Sequence, residues 1–261
     1  MITSIFNLYA EDYDKWFDTP EGKMLFKMEV EAVRMLMKNI EKPFLEIGVG
    51  TGRFAKELGI DFGIDPSSKM LEIAKKQGIK VEKAKGENLP FRDESFGAEF
   101  ILFTLCFVKD TEKVLSEAKR VLKQGGGLIV GIINRESLWG QLYMKKKAEN
   151  HPIYKHARFY TIDEVEKMIK YVGMEVEAYS STLYQTPSET LYKETLHNGF
   201  REGAGFVCIL AKKKNIFKNI KRLNLLSVVV LLLFPYVIPT FMRMIYNKLC
   251  ISLQGILLHS G

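Results

Sequence analysis

Residues 44–53, FLEIGVGTGR, constrain this chain more than any other stretch. An apolar run carries a carboxylate, Glu46. Glycines follow at 48, 50 and 52, and a helix-forming segment starts at Arg53. Strand, tight glycine turn and helix in that order form the opening unit of an open α/β sheet. The rest of the sequence agrees with it. Residues 21–40 repeat Leu25, Met28, Val33, Leu36, Met37 and Ile40 at helical spacing. DFGID reads as a second strand, and a helix follows that is capped by Ser67 or Ser68 and stopped by Gly78. IKVEKAKG and GAEFILFTLCFV are strands three and four. DTEKVLSEAKRVLKQGGG is a helix with a cap at Asp110 or Thr111 and a glycine stop. LIVGIIN is strand five, and the helix at 162 has the capping-box pair Thr161 and Glu164. MEVEAYSS and GFVCILAKKK close a set of seven strands. Strands alternating with helices predict a doubly wound, largely parallel sheet.

What the glycine loop holds is a separate question. The dinucleotide fingerprint places glycines at the first, third and sixth positions. Here the sixth is Arg53, and the third glycine, Gly52, comes one residue early. Asp65 ends strand two, where a carboxylate can accept both ribose hydroxyls of an adenosine; it can also cap the following helix. Residues 85–101, KGENLPFRDESFGAEFI, give a loop, a turn and a buried strand.

Together, LEIGVGTGRF, GIDPSSKML, GENLPFRDESF and LKQGGGLIVGI resemble the class I S-adenosylmethionine-dependent methyltransferases of the ubiquinone/menaquinone-biosynthesis type, methyltransferase type 11. The likeness is strong over about residues 40–135 and spans 1–214 in plausible order. It implies a Rossmann-like, seven-stranded, mostly parallel sheet with helices on both faces and the last strand antiparallel. S-adenosyl-L-methionine is the implied cofactor. Glu46, Gly48, Val49, Gly50 and Gly52 would form the loop under its methionine part, and Asp65 with Pro66 would lie at the ribose. Gly86, Glu87 and Asn88 would run along the adenine, and Phe103 and Thr104 would face the sulfonium. Tyr9, Tyr13 and Trp16 would belong to an N-terminal lid. Two positions depart from the family, which has Asp where this chain has Lys85 and Gly97.

Methyl transfer from a sulfonium is an in-line displacement that depends mainly on positioning and desolvation. Phe6, Tyr9, Tyr13, Trp16, Phe17 and Phe107 are candidates to face the cationic sulfur, or else ordinary packing residues. The expected acceptor is a small molecule, lipid-like if the C-terminal segment anchors to a membrane. The alternatives are a domain that binds the cofactor without catalysis and an NAD-dependent oxidoreductase. No catalytic residue is assigned. His156 and Tyr13 are candidates, and Arg135 either binds an acidic substrate group or is a plain surface arginine. The domain reading is 1–214, with a lid and helix at 1–40 and a substrate cover at 136–160.

Residues 215–261 form a separate tail. Its Lys218, Lys221, Arg222, Arg243 and Lys248, with no acid, supply +5 of the chain's net +7, which leaves +2 on the preceding 214 residues. That excludes the electrostatic footprint of a nucleic-acid binder. The uncharged run 223–242 is expected to anchor the enzyme to the inner face of a membrane, with the catalytic domain in the cytoplasm. Its alternatives are a helix buried on a partner or an unusual terminal extension. Cys106, Cys208 and Cys250 show no metal-ligand spacing, and no metal is expected.

Overall fold

The computed structural model describes residues 2–187 and 190–214. The strands are β1 (Phe44–Ile47), β2 (Phe62–Asp65), β3 (Lys80–Lys83), β4 (Phe96–Leu102), β5 (Leu122–Ile133), β6 (Met174–Thr182), β7 (His197–Asn198) and β8 (Phe206–Lys213). They join in one sheet in the order β3-β2-β1-β4-β5-β8-β6-β7. The first five run parallel, and β8 enters antiparallel between β5 and β6. The eighth strand is the two-residue β7, which pairs Ser181 with His197 at the sheet edge. It is too short to leave a period-two pattern, so the seven-strand expectation missed it.

Helices cover both faces. They are α1 (Ile2–Leu8), α2 (Ala10–Trp16), α3 (Pro20–Leu36), α4 (Arg53–Leu58), α5 (Ser68–Lys76), α6 (Thr111–Val121), α7 (Leu138–Ala148) and α8 (Ile162–Tyr171). Alternate residues of a strand face opposite sides of the sheet. Thus Phe44 packs with α3 and α4, while Leu45 and Ile47 pack with α6 and α8. Every residue of the central strand β4 is buried, as a parallel strand covered on both faces requires.

The expected caps form. Ser67 accepts a hydrogen bond from the Met70 amide, and Asp110 accepts one from that of Lys113. Thr161 and Glu164 complete a reciprocal capping box. Replacing Thr161 by alanine is expected to cost about 1 kcal/mol, a shift of roughly 2–4 °C in thermal midpoint. A scanning calorimetric trace of the variant checks this.

Two boundaries differ from the sequence reading. Helix α6 ends at Val121, and the LKQGGG segment already belongs to β5. Between Phe96↔Leu122 and Ala98↔Gly127 the register jumps, so residues 123–126 bulge out of the ladder. The segment 136–160 also contains α7. Only Trp139 and Gly140 of that helix are buried, so it leaves no apolar stripe to read. Among the described residues, no helix is long and apolar enough to cross a membrane. The segment 223–242, with its expected anchoring role, lies outside the described residues.

Candidate active site

The parallel strands end in loops that surround a cavity of about 1050 Å³. A typical single-ligand pocket measures ~300–1,000 Å³, so there is room here for a donor and an acceptor side by side.

One half of the cavity is built by the loops after β1, β2 and β3. Gly48 follows β1 with φ +79°, and a Cβ there would lie 2.3 Å from the Thr104 side chain. Glycine is required on both counts. Its amide and that of Val49 both donate to the Ile64 carbonyl at 2.8 Å, which ties the loop to β2. The half-buried Asp65 accepts from the Gly50 amide at 3.1 Å and from the Ser67 amide at 2.8 Å. Burial raises its carboxyl to about 6, against the opposing effect of those two N–H donors. Each carboxylate oxygen retains a lone pair for a further donor.

The structure brings Gly48, Gly50, Asp65, Pro66, Gly86, Glu87, Phe103 and Thr104 to the cavity wall. Tyr9, Tyr13 and Trp16 of the lid line it too, as do Phe6, Phe17 and Phe107. Other expected residues fall outside it. Glu46 is buried behind the loop, against a separate space of about 20 Å³, and its Oε2 has no partner. Burial and the nearby Asp65 hold its carboxyl well above the usual range. Val49 packs over Gly63, and Gly52 sits against Ala74 at the start of α4. Asn88 is exposed, its amide closing a turn onto the Lys85 carbonyl.

The lid is held down by charge. Arg53 makes paired contacts of 2.8–3.1 Å to the carboxylates of Asp14 and Asp18. The side chain in place of the sixth-position glycine thus clamps the end of α2 onto α4. Asn7 of α1 accepts from Ser67 Oγ at 2.7 Å and from the Lys69 amide at 3.1 Å. Arg53 is already paired with two acids, so the glycine loop itself offers no unpaired cation to a pyrophosphate.

Phe103 directly follows β4 with φ +54°, a strained conformation for a bulky residue. Its ring stacks on Phe206 of β8, with centroids 4.7 Å apart and planes inclined by 16°. The strain places a flat aromatic face at the meeting point of the two halves of the cavity.

The second half comes from α3, α7 and the segment after it. Glu29, Trp139, Tyr143, His151, Tyr154 and Phe159 line it. His156 does not: it is exposed on a short turn after Ile153. His156 therefore lies outside the cavity, because a loop sequence does not show which of its side chains points inward. His151 reaches the cavity, and its Nδ1 accepts from the Ile153 amide at 3.3 Å. Burial and Lys146 lower its pKa, which keeps it neutral. Tyr13 remains a phenol, since burial raises its hydroxyl pKa far above the ordinary value. Arg135 is not at the cavity. It pairs with Glu164 at 3.0 Å and donates to the Phe159 carbonyl, fastening the segment after β5 to α8. Among the described residues there is no metal-ligating cluster.

Comparison with known proteins agrees with this geometry. A family model described as a methyltransferase domain matches residues 45–130. A solved structure from Thermotoga maritima, titled a SAM-dependent methyltransferase and possible histamine N-methyltransferase, is 42% identical. It covers 82% of this chain and 100% of its own, with a TM-score of 0.76. An uncharacterized protein of Methanocaldococcus jannaschii is 44% identical over 80% of this chain and 99% of its own length. A demethylmenaquinone methyltransferase of Thermotoga maritima is 36% identical over 48% of this chain and 58% of its own length. The fold and the site define an S-adenosylmethionine-utilising protein. The chain belongs to the class I S-adenosylmethionine-dependent methyltransferases, of the type that includes the ubiquinone/menaquinone-biosynthesis enzymes. Its cofactor is S-adenosylmethionine.

Proposed function

We propose that this chain is an active methyltransferase that transfers a methyl group by in-line displacement to a small-molecule acceptor held in the second half of the cavity. The observation that carries the reading is the division of one cavity into a glycine-loop half with Asp65 and an aromatic half, joined at Phe103 and Thr104. In this reading Asp65 accepts the ribose hydroxyls, and Gly48 and Gly50 admit the methionine part close to the backbone. Gly86 and Glu87 border the adenine, with Asn88 contributing no side-chain contact. When bound, the cofactor supplies a methyl group already activated on a positive sulfur. The chain supplies the rest: the lid clamped by Arg53 excludes water, and the rings of Tyr13 and Phe103 offer π faces to the cation.

The relatives are named for two acceptor chemistries, an amine nitrogen and a quinone-ring carbon, and both belong in an acceptor screen. Calorimetric titration with S-adenosylhomocysteine and with NADH tests the cofactor half. Micromolar S-adenosylhomocysteine binding with none for NADH is expected. The reverse would make the chain an oxidoreductase. Acceptor-dependent release of S-adenosylhomocysteine then separates an enzyme from a non-catalytic binder.

A further inference from the structure

Glu29 lies on α3, the helix that packs across β6 and β8; the Ala32 carbonyl of that helix accepts from Ser180 Oγ at 2.6 Å. The residue is only 6% exposed, and its side chain lines the cavity. Among the described residues, no side chain or backbone group hydrogen-bonds to its carboxylate, and no cation pairs with it. It lies on α3, whereas the cofactor half is built from the loops after β1, β2 and β3. The hydroxyls of Tyr13, Tyr143 and Tyr154 face it closely enough to feel its charge. Other titratable groups nearby are Glu21, Cys106, Lys146 and His151 on the cavity wall and the buried Cys208. The ammonium of Lys146 lies 5.2 Å from the Tyr143 ring centroid and 5.8 Å from that of Tyr154.

A buried carboxyl with no donor is costly to ionise, and it keeps its proton until a donor or a cation reaches it. The residues around it are aromatic, and their faces attract cations. Carboxylate and π faces together describe a receptor for a protonated nitrogen.

We infer that the methyl acceptor is an amine, and that the Glu29 carboxyl is its hydrogen-bonding partner and proton acceptor in the aromatic half of the cavity. This rests on the methyltransferase reading above. Burial raises the carboxyl to about 8, so near neutral pH Glu29 and a bound amine share one proton between them. An ammonium has no lone pair. With the proton on Glu29 the nitrogen is neutral and forms a bond to the methyl carbon. The carbon–sulfur bond breaks, and its electron pair passes to sulfur. Sulfur loses its positive charge and nitrogen gains one as the N-methylammonium. The proton on Glu29 leaves to water as the product departs.

The test uses the full chain with saturating S-adenosylmethionine. It compares phenethylamine and histamine with 4-ethylphenol and 3-phenylpropionate, following S-adenosylhomocysteine release and the mass of the methylated product. At least one amine is expected to accelerate release, with the methyl group on nitrogen. Glu29→Gln preserves the side-chain shape but cannot accept a proton. It is expected to lower kcat/KM for that amine about 30-fold or more, with S-adenosylhomocysteine affinity within about twofold of wild type. Its pH–rate profile should lose the limb that belongs to the shared proton, and Glu29→Asp should restore part of the rate. The inference is overturned if wild type binds S-adenosylhomocysteine yet neither amine accelerates its release, or if only the phenol or the carboxylate does. It is also overturned if Glu29→Gln leaves kcat/KM unchanged. Absent binding of S-adenosylhomocysteine to wild type would instead remove the methyltransferase reading, and this inference with it.

Discussion

Replacing Asp65 by alanine is expected to weaken S-adenosylhomocysteine binding at least ~10-fold and up to ~100-fold, because two hydroxyl donors lose a charged acceptor. Part of the loss will come from the loop, since the same carboxylate holds the Gly50 and Ser67 amides. The pH dependence isolates the charge. In the free protein the Asp65 carboxyl sits at about 6, pushed up by burial. In the proposed complex two ribose hydroxyls donate to the carboxylate and stabilise its charged form, so the bound-state value would lie below the free one. Binding then releases a proton wherever the free carboxyl is protonated. Affinity should be flat above about pH 7 and decline as pH falls through 6. Calorimetry across pH 5–8 reads this directly, and the decline should vanish in the alanine variant. An alanine variant of unchanged affinity would remove Asp65 from the site.

The second large effect concerns the fold. Gly97 lies in β4, and a Cβ there would stand 1.7 Å from the Glu41 carbonyl oxygen. Its amide donates to the Pro43 carbonyl at 3.0 Å, so the chain entering β1 is pinned against it. The obstacle is backbone, which cannot rotate away as a flexible side chain would. Gly97→Ala is therefore expected to destabilise the protein by about 2–4 kcal/mol. Denaturant unfolding of the variant against wild type measures this, and a loss under ~0.5 kcal/mol would show that the entering segment yields easily. At this position, where the family has aspartate, residue 41 takes the space that a side chain would need.

Asp65 holds the Gly50 amide and Gly48 faces Thr104 across longer spans, but compact stretches mark them, glycines at 48, 50 and 52 straight after a strand and Asp65 at the end of the next. The loops of the cofactor half were therefore legible in the sequence, as were the helix caps at Ser67, Asp110 and Thr161. The acceptor half was not. Glu29 comes from α3, and Trp139, Tyr143 and His151 from α7 and the segment directly after it, far along the chain; only the folded chain brings them together. Glu29 sits in a helix whose apolar spacing is clear, and a carboxylate there reads as an ordinary solvent-facing position. Its burial between the flanking Met28 and Val30 appears only once α3 is laid across β6 and β8. Arg53 was legible as a departure from the dinucleotide pattern. Its ion pairs depend on where α2 folds back, and no spacing in the sequence encodes that.

The antiparallel β8 has a consequence for the order in which the protein forms. It is the last described strand to be synthesised, yet it lies between β5 and β6, both made earlier. A chain growing from its N-terminus cannot complete the sheet as it emerges. Until residues 206–213 are out, β5 and β6 expose the edges that β8 will occupy, and such edges are prone to pairing with other chains. Phe206, on which Phe103 stacks, arrives with that strand. The junction of the two cavity halves is thus among the last parts of the domain to exist, and a nascent chain halted before β8 would lack the aromatic support under its own reaction centre.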